Sequence, residues 1–124
     1  MNDKKYFIGK IQDYEQKKGW FFGHFMEKDL LRSNLVEVAY QDVPNKKPSP
    51  EDWHYHKKGL EINIVISGSA SFKINGKQVT AGKDEFWVVY PHTTIENFST
   101  IKDTKLVVIK APSVPADKFT EEDR

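Results

Sequence analysis

The sequence predicts an all-β fold, a sandwich or closed barrel of short strands. Two observations carry this expectation. The apolar residues fall in short β-branched or aromatic runs, and Gly, Pro, Asn and Asp interrupt them at intervals of about ten residues. The only stretch with a helical look, 27–32 (EKDLLR), is too short to hold itself together without tertiary contacts, and it reads as a loop or a single turn. At 124 residues the chain has the length of one domain with one core.

Taken in order, strands are expected at 5–11, 20–26, 34–40, 53–56, 60–66, 69–74, 77–80, 86–90, 94–98 and 105–110. The consecutive aromatics Trp20, Phe21 and Phe22 cannot all face inward on one strand, so another strand or a second subunit must cover one side, which favours a homodimer. The segment 41–52 (QDVPNKKPSPED) carries three prolines and can only connect. Gly68 marks a tight turn or bulge, and Asn75-Gly76 supplies two residues that tolerate the positive φ of a type I′ hairpin. The end, 111–124, contains Pro112 and Pro115 and finishes TEEDR, which suggests an extended arm fraying into solvent. One domain overall is expected: N-terminal strands over 1–34, a barrel over 35–111 and the arm over 112–124.

Composition excludes several functions. Nineteen Lys and Arg against 18 Asp and Glu leave a formal charge of +1, so no basic surface is set aside for nucleic acid. The absence of Cys removes disulfides, thiolate zinc sites and Cys nucleophiles, and fits a reducing compartment. The first residues, MNDKKYFIGKI, lack the apolar core of a secretory signal, and no apolar run approaches the roughly 20 residues of a membrane-spanning helix. A soluble cytoplasmic protein is the expectation. Phosphate-binding Gly-rich loops and the G-x-S-x-G elbow are also missing from the sequence.

The informative segment is Trp53-His54-Tyr55-His56-Lys57-Lys58-Gly59-Leu60-Glu61. On a strand, residues two apart share a face, so His54 and His56 present two imidazoles together while Trp53 and Tyr55 point the other way. After a turn at 57–59, Glu61 opens the next strand, and a neighbour about 4.8 Å away would set its carboxylate beside them. Two imidazoles and a carboxylate can form a facial triad for a divalent ion; Mn, Fe, Zn and Ni all suit that donor set. Without a metal, the same residues would make a polar pocket. His24 and His92 each stand alone among turn or aromatic residues, and the aromatics Phe25, Phe86, Trp87 and Tyr90 read mainly as core. Lys46, Lys47, Lys57 and Lys58 read as solvated loop charges, although the last two flank the histidines and could meet an anionic substrate.

The spacing of His54, His56, Glu61 and Gly68 resembles the first motif of the cupin superfamily. The match runs H-x-H, four residues, Glu, six residues, Gly, without insertion. Residues 103–118 resemble the tail of small sugar-isomerase-like, type-2 cupins. The resemblance implies a small barrel, the double-stranded β-helix, whose interior holds a divalent metal on the two His, the Glu and a His from a second motif. That second motif is met poorly. Pro91 keeps its place, but Thr93 stands for Gly, Glu96 for His and Thr100 for Asn, and Gly82 lies too far upstream. Glu96 is therefore the expected fourth ligand, as an oxygen donor, with His92 the other candidate.

Two functions remain open at this level. One is a metalloenzyme, an isomerase, epimerase or oxygenase, with His54, His56, Glu61 and Glu96 around the ion. The other is a metal-free cupin that binds a small molecule, such as a carbohydrate, without catalysis. The fold alone does not separate them.

Overall fold

The structure, a computed structural model, describes residues 5–49 and 52–120. Among the described residues, ten strands form two five-stranded antiparallel sheets. They are β1 (Trp20–Phe22), β2 (Glu37–Asp42), β3 (His54–His56), β4 (Leu60–Ser67), β5 (Ser69–Ile74), β6 (Lys77–Gly82), β7 (Phe86–Val89), β8 (Ile95–Thr100), β9 (Lys105–Ala111) and β10 (Lys118–Thr120). One sheet has the order β1-β2-β9-β4-β7 and the other β10-β3-β8-β5-β6. From β6 to β9 the chain changes sheet at every step, so the sheets enclose one interior and sequence neighbours face each other across it.

The interior is filled where the strands place large apolar residues in phase. Ala39, Val65, Leu106 and Val108 are buried on the first sheet, and Phe72 and Ile95 on the second. Trp87 and Phe98 touch both groups. The Phe72 and Trp87 rings lie 4.7 Å apart between centroids and join the two halves of the core.

The turns follow their residues. Asn75 and Gly76 have φ of 48° and 82° and let Ile74 pair with Lys77 across the expected hairpin. Gly68 has φ of 76° and joins β4 to β5; a Cβ there would fall 2.6 Å from the Thr104 Cα. Asp29–Leu31 forms the expected single turn, as a 3-10 helix.

The structure corrects the expectation at both ends of the chain. Residues 5–10 form no strand, and a 3-10 helix follows at Ile11–Lys17. The alternation there is not used for burial, since Tyr6 and Ile8 are 68% and 86% exposed. This segment instead lines a cavity together with Phe21 and Phe22, so the same chain borders part of the aromatic strand. At the other end, 118–120 is a strand rather than part of a fraying arm; residues 121–124 lie outside the described residues. Phe86 and Tyr90, expected in the core, are 67% and 65% exposed. No helix among the described residues is long and apolar enough to cross a membrane.

Candidate functional site

The inward positions of the first sheet grade from apolar to charged along the strands. Leu106 of β9 pairs with Gln41 and Val65, Val108 with Ala39 and Asn63, and Lys110 with Glu37 and Glu61. The last row is therefore an acid-base-acid ladder, Glu37-Lys110-Glu61, across three adjacent strands. Alternation puts it on the same face as the core, where a charge persists only if paired.

Strand β3 of the opposite sheet brings His54 and His56 to this end. Both line a cavity of about 400 Å³ together with Glu61, Asn63, Lys110, Trp20, Trp87 and Phe98. The two imidazole centroids are 5.5 Å apart. Tyr55, between them, points away and stacks on Phe119 and His92.

Each imidazole is anchored through the same nitrogen. Nδ1 of His54 meets the Asp52 carbonyl at 2.8 Å, and Nδ1 of His56 meets the Asp117 carbonyl at 3.0 Å. A carbonyl only accepts, so Nδ1 carries the hydrogen in both rings and Nε2 of the neutral ring is a bare lone pair. The His56 Nε2 is buried and makes no hydrogen bond among the described residues. It lies 3.4 Å from Glu61 Oε2, an electrostatic contact without hydrogen-bond geometry.

Glu61 is held from several sides. Asn63 Nδ2 donates to its Oε1 at 2.8 Å, and the Lys110 ammonium stands 3.8 Å from Oε2. Burial pushes this carboxyl up, but the His56 ring, Lys110 and Asn63 outweigh burial and hold it at about 2. The site therefore contains a carboxylate at any physiological pH. Burial lowers the pKa of His54 and favours its neutral ring, against the pull of the Asp52 carbonyl. Burial raises the Glu37 carboxyl despite Lys110. Lys110 also covers the Trp20 ring at 5.3 Å.

Glu96 and His92 fall outside this group. Glu96 pairs with Lys73 of β5, and its neighbours Ile95 and Phe98 line the cavity in its place. The left-handed Asn97, φ 56°, shifts the alternation so that 95 and 98 face inward and 96 does not. The His92 ring sits on Tyr55, on the far side of β3. The structure thus unites His54, His56 and Glu61 of the expected residues and leaves Glu96 apart.

The donor chemistry of those three fits a divalent ion. Both anchored rings offer Nε2, the arrangement in which metal-binding imidazoles are held, and Glu61 offers oxygen. Among the described residues, however, no three such side chains stand close enough together to form a ready metal group.

Lys110, Asn63 and Asp117 were missed in the sequence. Lys110 was detectable, since it follows Leu106 and Val108 in phase, and a Lys on the buried phase of a strand needs a partner. Asn63 follows Glu61 in the same way. Asp117 has no local signal.

No protein-family model matches the sequence, and no curated protein sequence does. Solved structures do resemble it in fold. A variant of Streptomyces Pac13 with uridine is 20% identical, over 97% of this chain and 91% of that one, with a TM-score of 0.64. Pac13, described as a nucleoside dehydratase, matches at 20% identity over 84% and 85%, TM-score 0.62. A cupin protein from Bacteroides fragilis matches at 18% over 73% and 76%, TM-score 0.53. Identities this low speak for the fold.

Proposed function

This chain has the cupin fold, the double-stranded β-helix, and we propose that its barrel binds a small ring-bearing molecule of nucleoside or sugar type and moves a proton on it. The observation that carries the proposal is the buried, unpartnered Nε2 of His56 beside the Glu61 carboxylate. An imidazole nitrogen that makes no hydrogen bond can take up and return a proton, and the carboxylate next to it stabilises the imidazolium. Lys110 then supplies positive charge for an oxygen anion developing on the substrate.

The cavity supports the ligand class. About 400 Å³ lies in the range of small-molecule sites, with Trp20, Trp87 and Phe98 as ring surfaces and Asn63, His54 and Lys110 as polar contacts. The uridine bound to a Pac13 variant of the same fold is a molecule of this size and kind. Many isomerases, epimerases and dehydratases use such a proton transfer.

A second reading is favoured by the matched anchoring of both Nδ1 atoms. In it, His54, His56 and Glu61 hold a divalent ion, Mn, Fe, Zn or Ni. The ion would polarise a substrate carbonyl or take up dioxygen. The residues of the chain would still orient the ligand and exclude water. A homodimer and a cytoplasmic location complete the proposal; exposed Tyr6, Ile8 and Leu35 support the first, and the absence of Cys the second.

The test is calorimetric titration of uridine and of simple monosaccharides into the purified chain, before and after chelation, beside elemental analysis. Binding that survives chelation supports the first reading. Binding lost with a stoichiometric metal supports the second. No binding in either state, even with Mn, Fe, Zn or Ni added back, refutes both.

A further inference from the structure

Strand β3 carries both histidines and is held unequally by its two neighbours in the sheet. It meets β8 at a single register pair, His54 with Ile95. On its other side it pairs with β10 along its whole length, His56 with Lys118, Tyr55 with Phe119 and His54 with Thr120. The last strand of the described chain is thus the main support of the strand that makes the site. A strand with one pairing partner is a mobile edge, and a second partner turns it into an interior strand.

Just before β10, one residue concentrates four contacts on the short stretch between His56 and Glu61. The Asp117 carbonyl accepts from His56 Nδ1 at 3.0 Å. Its carboxylate accepts three consecutive backbone N–H groups: Lys57 at 3.1 Å and Lys58 at 3.0 Å on Oδ1, and Gly59 at 2.9 Å on Oδ2. Three converging N–H groups make an anion cradle, and charge-assisted bonds of this kind are the strong ones. Those donors belong to the turn that sets the reach from His56 on β3 to Glu61 on β4. The backbone N–H groups of both lysines in this turn are thus taken by a carboxylate of the chain itself.

We propose that Asp117 is the positioning residue of the barrel site. Its main chain selects the His56 tautomer that leaves Nε2 bare, and its side chain fixes the turn that brings Glu61 to 3.4 Å from that nitrogen. This rests on the reading of the cavity as a ligand site. It goes further in making the C-terminal segment, distant in sequence, part of the working site.

Chemical rescue tests it in the full chain. Asp117→Ala empties a cradle of three N–H groups, which formate is small enough to enter. The expected result is a folded Asp117→Ala whose uridine Kd rises about tenfold or more, the scale on which misplaced site groups lose function. Formate at tens of millimolar then recovers most of that loss, while chloride at equal ionic strength does not, and neither salt changes the wild type. Unchanged uridine affinity in the folded variant overturns the proposal, and so does loss that formate leaves untouched. If Asp117→Ala does not fold, Asp117→Asn, which keeps one acceptor oxygen, decides: wild-type affinity overturns the proposal, and weakened affinity at an unchanged melting temperature supports it. Failure of the wild type to bind uridine counts against the ligand reading instead. Asp117 is then judged by the nuclear Overhauser contacts between the His56 ring and the Glu61 side chain: contacts that weaken in Asp117→Ala and recover with formate support the proposal, and contacts unchanged in the variant overturn it.

Discussion

His56 Nε2 and Glu61 Oε2 face each other at 3.4 Å without forming a hydrogen bond, one end of each group being tied elsewhere. Nδ1 of the ring is committed to Asp117, and Oε1 of the carboxylate to Asn63. Each group therefore keeps one polar atom outside those hydrogen bonds, and both residues line the same cavity. Two buried groups that have not paired fully with one another are poised to take a third, which is the physical core of the proposed function.

Replacing either group should separate binding from folding. His56→Ala is expected to weaken uridine about tenfold or more, the worth of one hydrogen bond to a charged or strongly polar group. Its cost in stability should be about 1–3 kcal/mol, because the buried ring leaves the Asp117 carbonyl without its donor. Calorimetric titration and urea denaturation of the same sample check both; equal affinity in wild type and variant would remove His56 from the site.

Acid stability should depend on Glu61. Its carboxyl is held at about 2 in the fold, against 4.5 for the free group. A depressed carboxylate contributes stability above its unfolded value and loses it as pH falls through that value toward the folded one. The contribution is at most about 3 kcal/mol. Urea midpoints should therefore fall between about pH 5 and pH 2, and Glu61→Gln should flatten that limb. An identical acid limb in the variant would show that other groups govern it.

Glu37 is expected to behave in the opposite sense. Its carboxyl is raised by burial, so the fold favours the neutral form and loses stability as pH rises through the folded value. Glu37→Gln should then be slightly more stable than wild type at neutral pH, by thermal melting, and the gain should vanish in acid. A loss at neutral pH would mean that its attraction to Lys110 outweighs burial.

Two glycines with similar backbone angles should differ sharply. Gly68 and Gly76 have φ of 76° and 82°, but only the first has backbone against it, with the Thr104 Cα 2.6 Å from where a Cβ would sit, whereas Gly76 has nothing within 4 Å. Gly76→Ala should cost about 1 kcal/mol through φ alone, and Gly68→Ala more than about 2 kcal/mol. Equal costs in urea titrations would show that the β4–β5 turn can move away from Thr104.

Sedimentation should report a homodimer at micromolar concentration, with Ile8→Lys and Leu35→Lys shifting it to monomer. These side chains are 86% and 81% exposed in the single chain. A wild-type monomer would remove the dimer from the proposal.

Local features are legible in the chain alone. Strand phase and turn residues follow from neighbouring side chains, so the hairpin at Asn75-Gly76, the turn at Gly68 and the shared face of His54 and His56 were all legible. The H-x-H spacing with Glu61 pointed to three residues that do meet in one cavity. Whatever depends on register between distant strands is set by the folded barrel. Glu96 had the spacing of a ligand, but a left-handed Asn97 turned the inward positions to Ile95 and Phe98. Lys110 joined Glu61 because β9 pairs with β4, and Asp117 reached His56 across 61 positions because β10 pairs with β3. Alternation along a strand is set by covalent geometry, whereas pairing between strands is chosen by the burial of the whole core, which no short stretch of sequence contains.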